Sequence, residues 1–116
     1  MLRHTISFKY AFAGIWTALT TQLNLRIHFL IGSAVLLGAV YFHLNVTEIL
    51  ILILTIAVVM VTEMVNTAIE FLANGVTLEH QEYIKHAKDV SAGAVLLSAL
   101  FATLIGAIIF IPKILL

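Results

Sequence analysis

The chain lacks cysteine altogether, and its 116 residues include only six basic and six acidic side chains besides five histidines. Without thiols it can form no disulfide, no thiolate nucleophile and no cysteine-based zinc site. Its formal net charge is zero, so it has no global basic field of the kind that draws nucleic acid. The opening Met1-Leu-Arg-His-Thr-Ile-Ser-Phe-Lys-Tyr10 lacks the basic, apolar and cleavage regions of a secretory signal, and reads as mature sequence. Also missing are the Gly-x-x-x-x-Gly-Lys-Ser/Thr loop and the Gly-x-Gly-x-x-Gly turn of soluble nucleotide-binding domains.

What the chain has in abundance is apolar surface, with 62% hydrophobic residues. That composition belongs to membrane proteins, and the length allows one small domain, residues 1–116, made mostly of spanning helices. From residue 5 to 24, Phe8, Phe12, Ile15, Trp16, Leu19 and Leu23 recur at helical spacing, with Lys9 and several threonines elsewhere on the circle. This predicts an amphipathic helix in the interface, where Tyr10 and Trp16 suit the headgroup level; a helix packed in the core is the alternative. Three spans follow, at about 27–43, 48–72 and 90–111. The turn from His43 to Glu48 joins the first two. Asn74-Gly75 is expected to end the second, and a polar loop over 73–89 leads to the third, which Pro112 and Lys113 close.

Arg3, Lys9, Arg26, Lys85 and Lys88 flank the N-terminal side or lie in the polar loop, whereas the 43–48 turn has no lysine or arginine. The positive-inside rule therefore predicts a cytoplasmic N-terminus and a cytoplasmic 73–89 loop. Near that surface the second span turns polar: Glu63, Asn66, Thr67, Glu70 and Asn74 fall on a single helical face. A charged side chain inside the bilayer costs about 2 to 3 kcal/mol even on lenient insertion scales, so such residues are functional candidates by default.

Glu70, nearer the loop, suits a hard cation such as magnesium, which takes one or two carboxylates together with phosphate oxygens. Glu63, two turns deeper and drier, suits a general base. Lys88 and Asp89 open the third span, and a lysine beside a helix N-terminus is a reasonable phosphate site. Together these parts resemble a phosphoryl-transfer centre. Spacing alone leaves an enzyme, a proton or ion pathway and a pore-forming bundle open, with Glu63 and Glu70 as interhelical polar glue in the last case. By the same reasoning Asn66 alone is glue rather than ligand, and His28, His43, His80 and His86 are interfacial or solvated. The Glu79, Glu82, Lys85 and Lys88 run is a solvated face.

The blocks Glu63-Met-Val-Asn-Thr-Ala-Ile-Glu70 and Ala87-Lys-Asp-Val-Ser-Ala-Gly-Ala-Val-Leu-Leu97, in that order and at this separation, resemble the signature of the prokaryotic diacylglycerol kinase family, which includes the undecaprenol kinases. Tyr10-Ala-Phe-Ala-Gly14 and Asn24-Leu-Arg-Ile-His28 are similar to that family's surface helix and the start of its first span. The resemblance implies an all-α membrane protein, with a surface helix and three transmembrane helices, that assembles as a homotrimer with shared sites. It implies transfer of the γ-phosphate of magnesium ATP to a lipid alcohol, diacylglycerol or undecaprenol, in a bacterial cytoplasmic membrane. By the same resemblance Glu63 acts as base, Asn66 supports the site, and Glu70 binds magnesium. Lys88, Asp89, Tyr10 and Arg3 match nucleotide contacts.

Two positions depart from the family pattern. Gln22 stands where a second metal-binding glutamate is common, and Asn74 where an aspartate is common. A neutral oxygen should hold magnesium less firmly, so a weakened kinase-like scaffold is one alternative; the small size, three spans and intramembrane carboxylates leave a holin-like or ion-conducting bundle as another.

Overall fold

The computed structural model describes residues 8–76 and 81–116. Four helices account for nearly all of them: α1 (Phe8–Thr21), α2 (Leu23–Tyr41), α3 (Val46–Val76) and α4 (Glu82–Leu115). The last three are long and apolar enough to cross a membrane. At 1.5 Å per residue the 19 residues of α2 make about 28 Å, close to the thickness of the hydrocarbon core. The 31 residues of α3 and the 34 of α4 exceed it by several turns.

The break between α1 and α2 is a single residue. Gln22 is extended (φ −116°, ψ 106°), so the surface helix stops three residues before the expected 24 and α2 starts four before the expected 27. The break falls in the polar stretch Thr20-Thr21-Gln22, but the helical spacing of Leu19 and Leu23 carries the apolar pattern across it. Arg26 Nη1 reaches back to the Leu19 carbonyl at 2.7 Å, placing a cation on the last turn of α1, where carbonyls have no helical partner. Ala18 is the buried residue of α1, while Phe8, Tyr10, Phe12 and Trp16 are exposed. Such an aromatic outer face belongs in the headgroup region.

The α2–α3 corner is a helix stop followed at once by a helix start. The amide of Leu44 donates to the Ala39 carbonyl at 3.0 Å and that of His43 to Val40 at 3.2 Å, with His43 left-handed at φ 56°. This is a Schellman arrangement, completed by the packing of Leu44 on Ala39. Two residues on, the Glu48 amide donates to Asn45 Oδ1 at 2.8 Å and the Asn45 amide to Glu48 Oε1 at 3.1 Å, a reciprocal capping box that opens α3. Lys113 at the far end of α4 lies 3.8 Å from Glu48, tying the third span to this corner.

Two expected boundaries move. Helix α3 runs through Asn74 and Gly75 to Val76, and no described glycine has positive φ, so that pair does not act as a left-handed stop. Helix α4 begins at Glu82, eight residues ahead of the apolar stretch. The polar residues that looked like loop are helix formers in register: Lys85 and Asp89 pair at 2.7 Å, and Glu82 and His86 at 3.5 Å, both four apart. Hydropathy marks where a helix meets lipid, and the helix itself extends farther.

Helix α3 is central, flanked by α2 and α4, with α1 laid against α2 and α3. The tightest approach is at Gly32, where a Cβ would stand 2.8 Å from Ile56 Cγ2. That methyl is on a β-branched carbon with little rotamer freedom, so it cannot swing aside. Gly32→Ala should therefore destabilise the fold by about 1 to 3 kcal/mol through overpacking. Gly14→Ala, which meets nothing within 4 Å, should be neutral or stabilising. Thermal unfolding of both variants in detergent micelles would check this, and equal midpoints would contradict the close packing.

Candidate active site

The polar residues of α3 fill the turns that follow its apolar stretch, and the neighbouring helices sort them by burial. Glu63 and Thr67, one turn apart, are buried at 5% and 7% exposure. Thr67 Oγ1 returns its proton to the Glu63 carbonyl at 3.0 Å, so the hydroxyl is satisfied within the helix. The Glu63 carboxylate meets α2, with Oε2 lying 3.9 Å from His28 Nδ1. Asn66 and Glu70, on the adjoining edge, are half-buried.

That second edge meets α4 through a short chain of hydrogen bonds. Ser91 Oγ, buried at the first turns of the apolar part of α4, lies 2.6 Å from Asn66 Oδ1, and Asn66 Nδ2 donates to Glu70 Oε2 at 3.3 Å. An amide fixed at both ends aims one Glu70 oxygen and leaves the other free to act as an acceptor. One turn beyond, Lys88 Nζ donates to Asn74 Oδ1 at 3.1 Å, which holds this ammonium against the end of α3.

Asp89 faces elsewhere. It is exposed and bound to Lys85, whose ammonium, by hydrogen bond and then by charge, holds the carboxyl below its ordinary range. Tyr10 is 73% exposed on α1, with Lys9 Nζ 6.0 Å from its ring centre. Gln22 sits at the α1–α2 break, where its Nε2 donates to Thr21 Oγ1 at 3.3 Å. Among the described residues, no hydrogen bond or ion pair joins Tyr10, Gln22 or Asp89 to the Glu63–Glu70 group. Arg3, Glu79 and His80 lie outside the described residues. One chain thus brings together Glu63, Asn66, Glu70 and Lys88.

Sequence reasoning missed two participants. Ser91 stands with Ala92, Gly93 and Ala94 in a run of small residues that reads as close backbone packing, and it also anchors Asn66. His28 was expected to be interfacial or solvated; instead its side chain is 24% exposed, with Nδ1 buried against Glu63. The available signal is depth: His28 lies about half a turn farther into α2 than Arg26, and in an antiparallel neighbour that level corresponds to the polar end of α3.

Below this group an apolar cavity of about 380 Å³ runs between the three spans, from His28 and Met60 to Phe110, with Leu52 and Ile56 along it. It stops one turn short of Glu63. As to metal, no three histidine, aspartate or glutamate side chains converge among the described residues. Glu70 offers a hard anionic oxygen of the kind that holds magnesium together with phosphate oxygens and water, so the donor chemistry fits a shared metal and not a caged one.

A profile of the prokaryotic diacylglycerol kinase family matches residues 9–110. The chain is 41% identical over 111 residues to a protein named diacylglycerol kinase from a Synechocystis species, a match covering 95% of this chain and 63% of that protein. It is 37% identical over 107 residues to a protein named undecaprenol kinase from Bacillus subtilis, covering 92% of this chain and 87% of the relative. The chain therefore spans under two thirds of the first of these relatives and most of the second.

The Ser91–Asn66 contact can be measured directly. In a double-mutant cycle of Ser91→Ala and Asn66→Ala, followed by unfolding in micelles, we expect a coupling of about 0.6 kcal/mol, the mean for hydrogen bonds between membrane helices, and no more than about 1.7 kcal/mol. Ser98, whose hydroxyl is satisfied by the Val95 carbonyl, should show no coupling to Asn66. Equal coupling for both serines would contradict the arrangement.

Proposed function

Because this chain belongs to the prokaryotic diacylglycerol kinase family, we propose that it is a multi-pass membrane lipid kinase that transfers the γ-phosphate of ATP to the hydroxyl of a lipid alcohol, undecaprenol or diacylglycerol. The observation that carries the reading is the buried Glu63 carboxylate, set between an apolar cavity on the lipid side and the Asn66–Glu70–Lys88 group on the other. A lipid alcohol arrives with its chain in hydrocarbon and its hydroxyl at the interface, while the phosphate donor arrives from water. The two meet only at the depth where α3 turns polar.

In the proposed reaction the lipid oxygen attacks the γ-phosphorus in line, its proton passes to a Glu63 carboxylate oxygen, and the bond from phosphorus to the oxygen bridging the β- and γ-phosphates breaks to release ADP. Positioning and charge neutralisation carry most of the catalysis in such transfers. Asn66 orients Glu70. Lys88 offsets charge on the phosphates, and Asp89, Tyr10 and Arg3 contact the nucleotide. Magnesium, held by Glu70 with Gln22, supplies further charge neutralisation when bound. The chain is a homotrimer with shared sites, which accounts for Tyr10 and Gln22 standing apart from Glu70 within one chain. Its N-terminus and the segment ahead of α4 face the cytoplasm. The Asn24–His28 block favours undecaprenol.

A holin-like or ion-conducting bundle is not favoured, since it accounts neither for the family nor for the clustering of polar groups at one end of α3.

Purified protein with radiolabelled ATP, magnesium and each lipid alcohol offered separately in mixed micelles should label one lipid phosphate. Glu63→Gln should lower turnover by about 10²- to 10⁴-fold, the usual contribution of a general base, with ATP binding retained. Loss of binding and turnover together would refute its role. Gln22→Glu should tighten the magnesium dependence, and an unchanged requirement would remove Gln22 from the metal site.

A further inference from the structure

Apart from Arg26 and the C-terminal Tyr41, His28 is the one ionisable side chain of α2, whose other residues from Leu25 onward are apolar or small. Its Nδ1 is buried and makes no hydrogen bond, and the atom it faces is Glu63 Oε2, 3.9 Å away. The other charged groups toward this end of the bundle are committed elsewhere. Arg26 binds the Leu19 carbonyl, Lys88 binds Asn74, Lys85 binds Asp89, and Glu70 accepts from Asn66. On α3 itself, Thr67 donates to the Glu63 carbonyl and not to its carboxylate. A buried carboxylate and a buried ring nitrogen thus face each other, each the other's available polar partner among the described residues.

We propose that His28 is the positioning residue of Glu63: Nδ1–H donates to Oε2 once the pair closes, which fixes the carboxylate plane and leaves Oε1 to take the proton of the substrate hydroxyl. The inference rests on the reading of Glu63 as proton acceptor. In the neutral imidazole it also sets the tautomer, because the ring nitrogen that donates to the carboxylate is then the one that carries the proton. A dry carboxylate without such a donor is costly to ionise, and a carboxylate free to rotate loses the alignment that proton transfer requires.

The test separates a donor at the Nδ1 position from mere bulk. An asparagine at residue 28 carries its amide nitrogen at the same bond separation from Cα as Nδ1, whereas a glutamine carries its nitrogen nearer the Nε2 position. In the lipid kinase assay, His28→Leu should lower kcat by about 10- to 100-fold, the loss expected for a hydrogen bond to a charged group, with KM for ATP unchanged. His28→Asn should recover most of that loss and His28→Gln little of it. An unchanged kcat in His28→Leu, equal rescue by the two amides, or a parallel rise in KM for ATP would overturn the proposal.

Should these variants fold poorly, the ¹⁵N spectrum of histidine-labelled wild-type protein in micelles reads the same claim. A proton on Nδ1 of His28, in the neutral Nδ1–H tautomer or in the imidazolium, supports it, and the neutral Nε2–H tautomer overturns it. Glu63→Gln is the control arm. If that variant keeps full turnover, the reading of Glu63 itself fails. If it is inactive while His28→Leu is fully active, only the present inference fails.

Discussion

Hydrocarbon offers no hydrogen bonds, so every polar group that enters it must find its partner within the protein. The arrangement of the four helices follows from that requirement. Helix α3 carries the polar side chains Glu63, Asn66 and Thr67 past the end of its apolar stretch and therefore takes the central place, with α2 and α4 on either side. Where a hydroxyl lies on a lipid-facing or half-buried turn it bonds back into its own helix: Ser33 to Phe29, Thr55 to Ile51, Thr62 to Val58 and Thr103 to Ala99. The groups that cannot be satisfied this way, a carboxylate and an amide, are the ones turned toward neighbouring helices.

The same rule divides the site. Glu63 meets α2 and is nearly dry, and Glu70 meets α4 through Asn66 and keeps access to water. Two identical functional groups seven residues apart on one helix thus acquire different surroundings. The difference arises from which neighbour each faces as much as from depth. The long overhang of α3 and α4 matters here, because Asn74 and Lys88 lie beyond the apolar stretches and still hold the two helices together. The site has a stiff helical wall on its aqueous side.

Much of this was legible in the sequence. Three apolar stretches announce three spans, and the Glu63–Glu70 and Lys88–Asp89 blocks announce the family. What hydropathy could not give was the extent of each helix: α4 begins in charged residues because Lys85–Asp89 and Glu82–His86 pair along it, and the α1–α2 break is a backbone event at Gln22, in a polar stretch that the spacing of Leu19 and Leu23 bridges. Ser91 and His28 were hidden for another reason. A serine among alanines reads as packing, and a histidine near a span end reads as interfacial, until the helix opposite is known. The family resemblance named Asn66 and Glu63 but not the residues that hold them.

The short span α2 has a mechanical meaning. It is joined to α3 through a corner that stops one helix and starts the next within four residues, so the two cannot slide past each other, and its length of about 28 Å allows little tilt in a bilayer of ordinary thickness. Helix α2 therefore acts as a ruler laid against the membrane, with the Schellman corner at one end and the surface helix at the other. A thicker bilayer must thin locally around this ruler or draw Glu63 below the headgroups. The depth of the Glu63 carboxylate is thereby tied to the acyl-chain length of the surrounding lipid.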